Sequence, residues 1–87
     1  MDIQVGSKWY WKDQPEITFE VTDIGPVEPL VEKYGWKFWF EKHGSLFTGK
    51  TAIVGMTNGF RRIYTEEDFL NRWMNKEDMI KIYPWMK

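Results

Sequence analysis

The chain contains no cysteine. That excludes disulfide staples and thiolate metal sites, and it makes a reducing cytoplasm the expected setting. It also has no excess of positive charge, since 12 Lys and Arg stand against 13 Asp and Glu. Proteins that grip long nucleic acid neutralise many phosphates and usually carry such an excess, so a long nucleic acid is not an expected partner. No apolar run reaches the length of a membrane span, so no membrane partner is expected. The opening MDIQVGSKWYWK lacks the basic start and apolar stretch of a signal peptide.

Catalytic groups are equally sparse. His43 is the only histidine and reads as a turn residue. Asp23, Glu28 and Glu32 have no ligand spacing around it, so neither a metal nor another cofactor is expected. Ser7 and Ser45 have no assignable base, and nucleophilic catalysis has no support. The expectation is a protein that is not an enzyme.

Aromatic rings are abundant, at 18% of 87 residues. A disordered chain is poor in such residues, so this one folds, and its length suits a single domain over residues 1–87. Alternation of apolar and polar side chains predicts strands over 3–12, 16–24, 36–41, 50–57 and 60–64, with a short closing strand over 79–83. Residues 25–35 hold two prolines and two glycines and read as a loop, with room for one helical turn near Leu30–Tyr34. Asn58-Gly59 is a favoured two-residue hairpin turn. Thr65-Glu66-Glu67-Asp68 opens a helix that carries Phe69, Leu70, Trp73 and Met74 on one stripe and ends at Asn75. The fold class expected is mostly β: five to six short antiparallel strands closed into a small barrel, with one helix near the C-terminus.

Gly44-Ser45-Leu46-Phe47-Thr48-Gly49-Lys50-Thr51 matches the phosphate-binding pattern GxxxxGK[ST]. That chemistry needs a strand before the loop and a helix after it. The strand over 36–41 is expected, but the β-branched run after Thr51 argues against the helix. The pattern therefore reads as a glycine-rich hairpin loop in which Lys50 could still touch a phosphate without hydrolysis.

A core can be assembled from Trp9, Ile17, Phe19, Val21, Ile24, Phe38, Phe40, Val54, Met56, Phe60, Phe69, Leu70, Trp73, Ile80 and Ile82. Tyr10, Trp11, Tyr34, Trp39, Phe47, Tyr83 and Trp85 are then left over. These rings either form a second small cluster or lie exposed as a binding surface. Trp39, between Lys37 and Glu41 on the outer face of its expected strand, is the clearest surplus ring. Arg61 and Arg62 are neighbours on a strand, so they start on opposite faces and only one need meet the rings. Rings beside cations suit a nucleobase with a phosphate, and they equally suit a protein interface.

The order VGSKWYWK, ITFEVTDIG, WKFWFE and TEEDFLNRW resembles small phage and bacterial proteins with SH3-like barrels. Some phage proteins of this kind, the anti-CBASS sponges, bind cyclic dinucleotide immune signals in oligomeric pockets without cleaving them. The resemblance implies a non-enzymatic phage anti-defence protein, acting in the bacterial host cytoplasm as a homo-oligomer that sequesters a cyclic oligonucleotide. On that reading Tyr10, Trp11, Trp36 and Trp39 stack on bases, while Lys50, Arg61 and Arg62 neutralise phosphates. The alternative expectation is a protein-interaction module that inhibits a host protein through the same aromatic surface.

Overall fold

The computed structural model describes residues 3–86. Its five-stranded antiparallel sheet runs in the order β4-β3-β2-β1-β5, with β1 at Lys8–Trp11, β2 at Thr18–Pro26, β3 at Thr51–Thr57, β4 at Phe60–Thr65 and β5 at Trp73–Met74. The helices are α1 (Val27–Tyr34), α2 (Lys37–His43), α3 (Glu66–Arg72) and α4 (Lys76–Ile82), with short 3-10 turns at Gly44–Phe47 and Pro84–Met86. The sheet curls into a half-barrel. Among the described residues it does not close as expected, because β4 pairs only with β3 and β5 only with β1.

Both faces of the sheet are covered. On one face Trp9, Phe19, Val21 and Ile53 pack with Phe69 of α3 and Trp73. On the other, Ala52 and Val54 pack with Val27, Leu30 and Val31 of α1 and with Phe47. The interior strand β3 is therefore buried on both sides, and Ile53 belongs to the interior although its neighbours Ala52 and Val54 point the other way. The surplus rings Tyr34, Trp39 and Phe47 join the second cluster, together with Trp36.

Two expected strands are helices. Residues 36–41 fit a two-residue alternation, but Trp36, Trp39, Phe40 and His43 also fit helical spacing, and α2 takes the second solution. Phe38, assigned to the core as a strand residue, is consequently 86% exposed. At the C-terminus, Asn75 accepts a bond from the Asp78 backbone N–H at 2.9 Å and opens α4, where a strand over 79–83 was expected. Met79 is buried there, while Ile82, another assigned core residue, is exposed. Phe60, also assigned to the core, is exposed on β4.

Residues 27–34 form a full helix where a loop was expected. Pro29 falls in its first turn, where a missing N–H costs no intrahelical bond, and Val27, Leu30, Val31 and Tyr34 make its buried stripe. Gly35 closes it in the left-handed region, at φ 69. The Asn58-Gly59 hairpin joins β3 to β4 as expected. The start of α3 is also as expected, with the Thr65 hydroxyl oxygen accepting from the Asp68 N–H at 3.1 Å. That helix ends earlier than expected, at Arg72, because Trp73 and Met74 extend to pair with β1.

Candidate functional site

The site begins with an irregularity in β2. Its register against β3 shifts between Val21 and Asp23, so Thr22 is the extra residue of a bulge. Regular alternation would place Asp23 on the face of Phe19 and Val21. The bulge instead sets it opposite Val54, on the face covered by α1. There its buried carboxylate accepts bonds from Lys33 Nζ at 2.6 Å, from the Thr22 hydroxyl at 2.8 Å and from the Tyr34 hydroxyl. Burial pushes the Asp23 carboxyl up, but the bonds from Lys33, Tyr34 and Thr22 outweigh it and hold the group below the ordinary carboxylate range. Its bond to Asp23 raises the Lys33 ammonium above the ordinary lysine value.

Held in this way, Tyr34 organises the rings around it. Trp36 stacks on it with centroids 4.9 Å apart, and the Arg61 guanidinium lies 4.4 Å from its centroid. Trp39 meets Trp36 at 6.4 Å and Phe47 at 5.5 Å, both edge to face. Trp36, Trp39, Arg61, Arg62 and Ile63 line a half-open cleft of about 260 Å³. Ile63 and Arg61 start on the α1-covered face of β4, and Arg62 starts on the other. Because β4 is the sheet edge, the two faces meet there, and both arginines line the cleft.

Four of the expected binding residues, Trp36, Trp39, Arg61 and Arg62, therefore come together. Tyr10, Trp11 and Lys50 do not. Tyr10 is half-buried and sits between Thr18 and Met74 in the sheet, and Trp11 packs edge to face on Trp73 at 5.0 Å. Lys50 lines two other hollows, one beside Glu66 and Glu67 and one beside Glu28. The GxxxxGKT stretch has the reverse of a phosphate-loop context, since a helix precedes it and β3 follows it. His43 closes α2 against the Trp39 ring at 5.5 Å.

The sequence reading missed Asp23 and Tyr34 as organisers of this site. The signal for Asp23 was a carboxylate continuing the apolar alternation Ile17, Phe19, Val21, a position that demands a partner or a bulge. Trp85, a surplus ring outside the cleft, is 68% exposed at the C-terminal 3-10 turn. No family model, curated protein or solved structure matches this chain.

Proposed function

We propose that this protein is a non-enzymatic binder that sequesters a nucleotide-type ligand in the cleft of Trp36, Trp39, Arg61 and Arg62. The observation that carries the reading is that two tryptophans line one cleft with two arginines that make no ion pair among the described residues. A base stacked on an aromatic side chain gains roughly 1–3 kcal/mol. A phosphate bound by arginine makes charge-assisted, often bidentate bonds. The cleft, at about 260 Å³, lies just below the usual range for small-molecule sites, roughly 300–1,000 Å³. It is too small to enclose a whole cyclic dinucleotide, which would be shared between two copies of the chain.

The finer assignment belongs to the same proposal: an SH3-like phage protein of the anti-CBASS sponge class, working in the host cytoplasm. It is supported by an aromatic β1, a β2 carrying Val21-Thr22-Asp23-Ile24 and a late helix opening Glu66-Glu67-Asp68-Phe69, while the WKFWFE stretch, a strand in that resemblance, is helix α2.

Isothermal calorimetry against a panel of cyclic dinucleotides and mononucleotides tests the proposal. Binding that falls at least tenfold in Trp39→Ala or Arg61→Ala, with the nucleotide recovered intact after heating the complex, is the expected result. No heat at high micromolar concentration of any member overturns it, and capture of a host protein alone would favour the interaction module instead.

A further inference from the structure

We infer that the outer edge of β4 accepts an extended, acidic segment of a partner protein as an added strand of the sheet. The two open edges of the sheet differ in kind. β5 has only two residues and is too short to template a strand. β4 has six, in unbroken register with β3 from Thr57↔Phe60 to Ala52↔Thr65, with neither proline nor bulge. In a two-residue hairpin the pair flanking the turn exchanges both backbone bonds, and the pairs then alternate. Thr57–Phe60, Gly55–Arg62 and Ile53–Tyr64 are thus the bonded pairs, and the backbone N–H and C=O groups of Arg61 and Ile63 point away from β3.

The charge on this edge selects the occupant. Exposed edges are commonly protected by charged side chains, and here the protection has one sign only: Arg61 and Arg62, with no ion pair among the described residues. A second copy of β4, paired antiparallel over its full length, would set Arg61 opposite Tyr64 and Arg62 opposite Ile63, so self-pairing offers the arginines no opposite charge. An acidic strand meets the opposite charge. The positive stretch is short, because Glu66, Glu67 and Asp68 follow immediately. In antiparallel addition, the arrangement used throughout this sheet, the acids of the incoming strand belong in its C-terminal half, opposite Arg61 and Arg62. Exposed Phe60 offers an apolar contact at the same end.

This surface does not rest on the nucleotide reading, and the two fail separately. Trp36→Ala with Trp39→Ala removes stacking in the cleft and leaves the β4 backbone in place.

The test is amide hydrogen exchange by NMR with a blocked seven-residue peptide. The peptide alternates valine with threonine over its first four residues and carries two adjacent glutamates in its C-terminal half, one for each face of the strand. At saturation, the Arg61 and Ile63 amides should slow at least tenfold, while Arg62 and Tyr64, already bonded to β3, change little. The same peptide with lysine for glutamate should protect nothing in the wild type and should protect β4 in Arg61→Glu/Arg62→Glu. Unchanged exchange at Arg61 and Ile63, or protection that ignores the sign of the peptide, overturns the proposal.

Discussion

The Arg61 guanidinium lies 4.4 Å from the centroid of the Tyr34 ring, joining the edge strand β4 to the C-terminal end of α1. The chain reaches this contact from three separate stretches. Asp23 in β2 fixes the Tyr34 hydroxyl, Tyr34 supports Trp36, and Arg61 closes over the same ring. An exposed cation–π contact contributes about 0.5–1 kcal/mol, so its role is chiefly to place groups. Arg61→Ala should leave thermal stability within about 1 kcal/mol of wild type yet weaken nucleotide binding tenfold or more. Denaturant titration and calorimetry on the same sample separate the two effects.

Asp23 gives a prediction with a sign in pH. Its folded carboxyl titrates below the ordinary value of about 4, so between the two values the unfolded chain holds more protons. The stability it contributes is therefore complete above about pH 4 and is lost as pH falls through the lower folded value. Asp23→Asn should cost about 1–3 kcal/mol at pH 7, since it breaks charge-assisted bonds at a buried position. The gap between mutant and wild type should shrink in urea titrations run at progressively lower pH below 4. Lys33 behaves in the opposite sense. Its contribution is present below the ordinary lysine value and fades as pH rises through its raised folded value.

Gly55 is required by space. A Cβ there would stand 2.3 Å from the Glu20 carbonyl oxygen and 2.3 Å from the Phe19 ring. Gly55→Ala must displace backbone as well as a buried ring, with an expected loss of about 1–3 kcal/mol or more. At Gly59 there is open space but a φ of 81, so Gly59→Ala should cost about 1–2 kcal/mol through strain alone. Thermal melts of the two variants rank them.

Helix α2 can be checked against the strand that its sequence also allows. With Phe38 86% exposed, Phe38→Ser should change stability by no more than about 0.5 kcal/mol. Phe19→Ala, at a fully buried ring, should cost about 3–5 kcal/mol. Comparable losses in both would restore the strand reading and displace Trp36 and Trp39 from the cleft.

These residues also show how far the sequence carried. The aromatic β1, the alternating β2, the Asn58-Gly59 hairpin and the Thr65 cap were legible because each depends on neighbours in the chain. The stretch around Trp36, Phe38 and Phe40 was not. Over so few residues periods of two and of 3.6 both fit, and the choice is made by the α1 face and Phe47, which lie elsewhere in the sequence. Two prolines hid α1, although its apolar spacing was helical and Pro29 sits where a helix tolerates it. Asn75-Lys76-Glu77-Asp78 repeats the cap logic of Thr65–Asp68 and was readable, but the short apolar run after it matched a strand as well. Of the site, the rings and cations were visible as a surplus. Their division between the cleft and the Trp11–Trp73 contact depended on the sheet order, which no local pattern encodes.

The most direct test of the cleft follows the indole N–H resonances of the six tryptophans during titration with a mononucleotide. Movement of the Trp36 and Trp39 signals, with Trp9, Trp11 and Trp73 unmoved, is the outcome this geometry requires. Shifts confined to Trp11 or Trp85, or no shift at any indole, would contradict it.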